Sequence, residues 1–407
     1  MKSVSEASAI LFENLMPLKT KIIPLMDSYN SVLAKDIIAD RAFPPFNRVT
    51  MDGIVVRFSD IERGQTEFEV VGIQAAGQKP LQFSQNCCLE IMTGAVIPEI
   101  NEATIVPIEN IEWNISSAQK KIAKIVTLPD GPRMFVHGVG SDAEKGQLLC
   151  AIGERLSPVN VAIAASVGAF QIKVAKAPRV ALIATGDELV GVQEFPLPHQ
   201  IRMSNVYMMS AMLQKIGIDS EIFHCRDNQS ELLNSLAKMV ENFDCLILSG
   251  GVSKGAFDYI PNVLADIGVS NLFHGVLQRP GKPLYFGKHK KRSGAEAFVF
   301  GLPGNPVSSL LTLTRYVIPW LNASMGRNVK IPLRFKFAQC PQVNEKLTCF
   351  IPVQLVNAGG SVKALPLANN GSGDFIHIAD ASGFLEVPAG LFDANASFDY
   401  IPLEPVL

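Results

Sequence analysis

The chain has 407 residues, 48% of them apolar, enough to bury two to four domain cores at about 100–200 residues each. Its 36 Lys and Arg nearly balance 38 Asp and Glu, for a formal net charge of −2. That balance leaves no electrostatic footprint for nucleic acid and no polybasic segment for a membrane surface.

The N-terminal stretch MKSVSEASAILFENL lacks the long apolar run of a signal peptide. Ser3 and Glu6 have the spacing of a capping box. Residues 1–40 read as helical, with a polar break near Lys19–Lys21. No stretch approaches the ~20 uninterrupted apolar residues of a membrane span. The seven cysteines include no Cys-x-x-Cys, and the six histidines show no ligand spacing. The expectation is a cytoplasmic protein with reduced core thiols and no zinc site.

From FPPFNRVTMDG (43–53) the texture changes. Short β-rich runs, EFEVVGI (67–73), CCLEIMTGAV (87–96), ATIVPIENI (103–111) and KIAKIVTL (121–128), are separated by Gly, Pro and Asn. They predict a small β-rich domain over 43–133. Helical texture returns at SPVNVAIAASVG (157–168), where Ser157 suits an N-cap and Pro158 the first helical position. Residues 1–42 and 134–172 therefore read as one discontinuous helical and linker region carrying a β insert.

Residues 173–328 alternate. RVALIATG, SEIFHCRD, DCLILSGG and AFVFGLPG read as strands; SNVYMMSAMLQKIG, QSELLNSLAKMVENF, AFDYIPNVLADIG and NPVSSLLTLTRYVIPWL read as helices. The alternation predicts a three-layer α/β domain with a mainly parallel sheet. Asn305 can cap the last helix and Pro306 can start it. Residues 329–407 are β-rich again and predict a small barrel or sandwich.

Open parallel sheets bind ligands outside the carboxyl ends of their strands. That rule selects ATGDEL (184–189), CRDN (225–228), SGGVSKGAFDY (249–259) and GLPGNPVSS (301–309), with QRPGKPLYFG (278–287) between the last two. Gly250, Gly251, Gly255, Gly301 and Gly304 allow close backbone approach to phosphate, although a tight turn needs them equally. Neither Gly-x-x-x-x-Gly-Lys-Ser/Thr nor Gly-x-Gly-x-x-Gly occurs. Asp187, Glu188, Asp227 and Asp258 all fall at strand ends. Each alone suits a helix cap; four on one edge suit a divalent cation bridging to phosphate. Arg279 and Lys282 flank a Pro-Gly turn, which suits an oxyanion or a charged hairpin tip.

Taken together, TGDEL, SNVYM, RDN, SGGVSKGAFDY, RPGKP and GLPGNPVSS, with TMDG (50–53), IMTGAVIP (91–98), GSD (140–142) and NNGSGD (369–374), resemble the molybdopterin molybdenumtransferase family, MoeA and the gephyrin E domain, over nearly the whole chain. The resemblance implies a cytoplasmic homodimer that takes adenylylated molybdopterin and molybdate, requires Mg²⁺, cleaves the phosphoanhydride and releases AMP. It further implies as partners the molybdopterin adenylyltransferase and acceptor molybdoenzymes. Asp258 and Glu188 would hold the cation, with Asp187 and Asp227 in support. Ser249, Gly250, Gly251 and Ser253 would cradle phosphate. Arg279, Gly281, Lys282, Pro283 and Ser308 would bind molybdate, with Ser372 closing over it. Thr185, Gly186, Asn205, Pro303, Gly304, Asn305 and Pro306 belong to the same implied site, and Asp52, Thr93 and Asp142 would reach it from the partner subunit, with Asp52 and Asp142 catalytic. The chain departs from the family pattern at Asn47-Arg48-Val49-Thr50, at His137-Gly138-Val139, where arginines are usual, and near Leu347–Phe350, where an arginine is missing. Lys254 has no assigned role. The other readings are a molybdopterin adenylyltransferase or nucleotide pyrophosphatase on the same α/β module, and a non-catalytic pterin-binding scaffold.

Overall fold

The computed structural model describes residues 1–100, 102–252, 259–327, 332–393 and 395–403. The expectations placed on Ser253, Lys254, Gly255 and Asp258 lie outside the described residues. The chain divides into two compact units: Met1–Lys35 with Ile152–Val161 and Gln171–Leu407, and Asp36–Ala151 with Ala162–Phe170.

The first unit begins with the helix Val4–Glu13. Its capping box forms as the spacing predicts: Glu6 N donates to Ser3 Oγ at 3.2 Å, and Ser3 N donates to Glu6 Oε2 at 2.7 Å. The rest of residues 1–40 departs from the helical expectation. Thr20–Pro24 is a strand, paired antiparallel with Gln171–Ala175 so that Ile22 faces Lys173. The partner lies some 150 positions away, and the apolar pair Ile22-Ile23 fits either period, so local pattern could not decide it.

The central sheet uses six strands: β1 (Val180–Thr185), β2 (Ser220–Cys225), β3 (Cys245–Ser249), β4 (Ser270–His274), β5 (Tyr285–Lys290) and β6 (Glu296–Leu302). Their order is β2-β1-β3-β6-β5-β4. The first four run parallel, and β5 runs antiparallel to both its neighbours. Every residue of β1 and β3 is buried, as a parallel sheet covered on both faces requires. Helices α1 (Asn205–Lys215), α2 (Gln229–Asn242), α3 (Ile260–Asp266) and α4 (Pro306–Thr312) supply the cover. On α1 Val206, Met209 and Leu213, at helical spacing in the sequence, form a buried stripe, with Ile216 half-buried just beyond the helix. The chain leaves β1 on one side for β2, then returns on the other for β3. This reversal opens a crevice at the carboxyl ends of β1 and β3.

Beyond α4 the helix continues through a π-helical segment, Leu313–Val317, into a further α-helix, Ile318–Ser324. Pro319 explains the irregularity: it lacks the N–H that would bond the carbonyl of Arg315, and its ring crowds that carbonyl. Trp320 packs edge-on against Phe298 and Phe300, at ring centroid distances of 5.0 and 5.1 Å. The C-terminal sheet runs Gln278–Arg279, Thr348–Ala358, Gly383–Val387, Phe398–Pro402, Arg334–Phe335, with Ser361–Pro366 also paired to the long second strand. Its edge strand is thus borrowed from the turn that follows β4.

The second unit is built on six strands in the order Ala103–Pro107, Gly53–Arg57, Cys87–Ile91, Glu67–Gln74, Lys121–Ile125, Ile111–Ile115. The strand alternation divides its core in two, with Val55 packed among Leu89, Ile91 and Ile105 and its neighbours Ile54 and Val56 among Phe68, Cys88 and Val106. Among the described residues, no helix of the protein is long and apolar enough to cross a membrane. All seven cysteines are free thiols; Cys340 is exposed, so not every thiol is a core residue.

Candidate active site

At the crevice, Thr185 ends β1 and its Oγ1 donates to Ser249 O at the end of β3, at 3.3 Å. Gly250 follows with φ +100°, and a Cβ there would lie 2.9 Å from Thr185 O. Only glycine lets the loop approach β1 this closely. Gly250 N donates to Leu302 O at 3.1 Å, tying the loop to β6 as well.

Asn205, the first residue of α1, joins these loops. Its Nδ2 donates to Ser249 Oγ at 2.9 Å, to Gly304 O at 2.7 Å and to Ser309 Oγ at 3.4 Å. Its Oδ1 is buried without a hydrogen-bond partner among the described residues. Ser309 Oγ donates to Pro303 O. Asn305 precedes α4 as predicted, with Pro306 first in the helix, but its side chain makes no cap bond. Instead Asn305 Nδ2 donates to Ser372 Oγ at 2.9 Å, and Val307 N donates to Ser372 O at 3.1 Å. The NNGSGD segment is thereby seated on the start of α4.

The acids occupy the rim. Asp187 and Glu188 follow β1 and are exposed. Gly186 before them has φ +141°, and the Glu188 carboxylate lies over the face where a Cβ would stand, 2.4 Å from that position. Asp187 Oδ1 accepts from Asp227 N at 3.2 Å, which brings the ends of β1 and β2 together. His224, which sequence reasoning missed, donates from Nε2 to Gly186 O at 3.1 Å. A lone histidine inside a strand gave no signal for that role.

Arg279 and Lys282 are exposed and have no ion-pair partner among the described residues. Between them Gly281 has φ +84°, and a Cβ there would meet Thr312 Cγ2 and Gln278 Nε2, each at 2.8 Å. Pro283 is half-buried. Ser308 is buried beneath the turn, with 3% of its surface exposed.

Asp52, Thr93 and Asp142 belong to the second unit. Gly53 must be glycine, because a Cβ would fall 2.0 Å from Val106 O across the strand pair. This close approach fixes the backbone beside Asp52. Asp52 Oδ1 accepts from Thr93 N at 2.6 Å and from Thr93 Oγ1 at 2.9 Å. These bonds, the backbone one first, hold its carboxyl below the usual range. Asp142 Oδ1 lies 2.8 Å from His137 Nε2, and Arg48 Nη2 lies 3.1 Å from His137 Nδ1. A guanidinium only donates, so Nδ1 accepts and Nε2 carries the proton to Asp142. Arg48 and His137, both at positions of departure from the family pattern, thus join in placing one acid.

A cavity of about 270 Å³ opens at the opposite, amino-terminal edge of the sheet, lined by Lys19, Arg179, Asp244 and Glu296 among others. Its charges satisfy one another: Asp244 Oδ1 pairs with Lys19 at 3.1 Å and with the buried Lys291 at 3.7 Å.

Comparison with known proteins agrees with this organisation. Residues 2–168 match the MoeA N-terminal region (domain I and II), 181–323 a probable molybdopterin binding domain, and 333–403 the MoeA C-terminal region (domain IV). A molybdopterin molybdenumtransferase from Synechocystis sp. is 38% identical over 92% of both chains. One from Staphylococcus epidermidis is 30% identical over 99% of this chain and 96% of its own. The crystal structure of a molybdopterin biosynthesis moeA protein from Pyrococcus horikosii superposes with a TM-score of 0.75 at 27% identity, covering 99% of each chain. The domain order, the crevice at the switch point and these likenesses along the full length agree: the chain belongs to the MoeA family and is a molybdopterin molybdenumtransferase of molybdenum cofactor biosynthesis.

Proposed function

We propose that the chain transfers molybdenum from molybdate to adenylylated molybdopterin, with Mg²⁺-dependent cleavage of the phosphoanhydride and release of AMP. The observation that carries this reading is the way Asn205 ties the end of β3 to the loop after β6 and to α4, while its buried Oδ1 keeps no partner among the described residues. A buried acceptor without a donor is costly, and a pterin amino or amide N–H supplies one. The positive-φ glycines leave the rim without side chains that would keep a phosphate from its backbone. Arg279 and Lys282, unpaired among the described residues, are cations suited to molybdate.

The donors at the rim fit Mg²⁺. Asp187 and Glu188 are exposed carboxylates, and no group of three His, Cys, Asp or Glu suited to a metal gathers among the described residues. Mg²⁺ needs only one or two carboxylates, with phosphate oxygens and water completing its shell. Held by Glu188 and Asp258, with Asp187 in support, it would neutralise charge on the phosphoanhydride. Asp187 is oriented by Asp227 N, and Glu188 is free of ion pairs among the described residues.

Asp52 and Asp142 are assigned to the partner subunit's contribution in a cytoplasmic homodimer. Their support is local: each is exposed, yet held by its own hydrogen bonds in a fixed orientation. The adenylyltransferase and scaffold readings have no comparable observation behind them. The test is AMP release by purified protein given adenylylated molybdopterin, Mg²⁺ and molybdate. Release that ignores molybdate, or no release, would sink the proposal.

A further inference from the structure

Gln278 is a buried polar side chain, 1% exposed, directly below the Arg279–Lys282 turn. Its Nε2 donates to Pro280 O at 3.1 Å and to Gly281 O at 3.2 Å. Carbonyl oxygens only accept, so the amide nitrogen must face the turn and Oε1 must face away. There Oε1 accepts from the hydroxyl of Tyr316, itself 1% exposed. Each partner fixes the other, and no hydrogen-bonding atom of the Gln278 amide is left unpaired.

Tyr316 is held from both sides. It lies in the π-helical segment Leu313–Val317, an irregularity often found at functional sites. Arg315 lies over its ring at 5.1 Å, and Arg315 Nε donates to Glu386 Oε2 at 2.7 Å. Glu386 belongs to the C-terminal sheet, whose long strand pairs Thr348 with Gln278 and Cys349 with Arg279. The turn therefore rests on a buried amide beneath, a paired strand beside it and the side chain of Thr312, which a Cβ on Gly281 would strike at 2.8 Å.

We infer that Gln278, oriented by Tyr316, is a positioning residue for molybdate: it sets the separation of Arg279 and Lys282 without touching the anion. Two exposed cations on a mobile turn bind an oxyanion weakly, whereas a turn fixed by buried hydrogen bonds has already lost that freedom. The inference rests on the reading that Arg279 and Lys282 hold molybdate.

The test compares wild type, Gln278→Leu and Tyr316→Phe in two measurements. One is calorimetric titration with sodium molybdate alone, and the other is steady-state AMP release with molybdate varied. Tyr316→Phe removes one oxygen and keeps the ring, so a folded variant is available even if Gln278→Leu is unstable. The expected result is a molybdate Kd and KM raised about tenfold in Tyr316→Phe and more in Gln278→Leu. The KM for the pterin nucleotide and the turnover at saturating molybdate stay within about threefold. A double variant no weaker in molybdate affinity than Gln278→Leu alone would show that the two residues act as one unit. Variants that melt earlier yet bind molybdate as wild type does would overturn the inference. Wild type that binds no molybdate would overturn both the inference and the reading beneath it.

Discussion

Asn305 and Ser372 face each other across 67 positions of sequence, with the Asn305 amide donating to Ser372 Oγ at 2.9 Å. Asn305 gives up the cap that its position suggests and spends its side chain on the C-terminal segment. Asn305→Ala and Ser372→Ala are each expected to lower turnover about three- to tenfold, the effect of losing one ordinary hydrogen bond. The double variant should be little worse than either single one. Additive losses in the steady-state rates would show that the two side chains act independently.

Gly53→Ala is expected to destabilise the second unit by about 3 kcal/mol or more, because its Cβ meets a backbone carbonyl that cannot turn aside. Gly131→Ala, where no heavy atom lies within 4 Å of the new Cβ, should stay within about 0.5 kcal/mol of wild type. Denaturant unfolding of both variants checks the pair, and equal stability would remove the claim that strand approach fixes residue 53.

Asp374 is held at about 2, chiefly by the His377 side chain and then by Asn370 N. Its folded pKa is lowered, so its contribution to stability is complete above the ordinary carboxylate value of 3.8 and is lost as pH falls toward about 2. Carboxyl NMR titration should find Asp374 at the low value in wild type and raised, though still below the ordinary one, in His377→Ala, which keeps the backbone bonds from Asn370 and residue 377. An unchanged value in the variant would exclude His377 as the cause.

Thiol labelling at neutral pH should modify Cys340 rapidly and the other six cysteines only on unfolding. Cys340 is exposed, while burial pushes Cys88 up to about 12 and raises Cys87, Cys225 and Cys245. More than one fast-reacting thiol in the native protein would contradict this.

If Asp52 serves the partner's site, equal amounts of Asp52→Asn and Glu188→Gln protein, each inactive alone, should regain about a quarter of wild-type activity when subunits exchange. Each mixed dimer then carries one intact site. No recovery, with exchange confirmed by labelled subunits, would place Asp52 and Glu188 in the same subunit's site.

The α/β core was readable because its signals are local. The Ser3–Glu6 box, the stripe on α1 and the strand ends that carry Asp187, Glu188 and Asp227 all depend on residues a few positions apart. The parts that were not readable depend on distance. Thr20–Pro24 becomes a strand only because Gln171–Ala175 lies beside it. His224 acts through a bond to Gly186 O and Gln278 is oriented by Tyr316, each partner 38 positions away, and such pairings leave no trace in composition or period. Asn305 shows the mixed case, in which the helix start was legible and the use of the side chain was not.

The borrowed edge strand makes the last domain a support for the turn of the one before it. An α/β domain cut free after residue 327 would keep its parallel sheet and its crevice. It would lose Thr348 and Cys349 from beside Gln278 and Arg279, Glu386 from beside Arg315, and Ser372 from the start of α4. On the reading proposed above, such a fragment would keep the crevice and lose the support of the turn that carries Arg279 and Lys282. The last domain is in this sense a structural member of the one before it, supporting its turn and its final helix from outside.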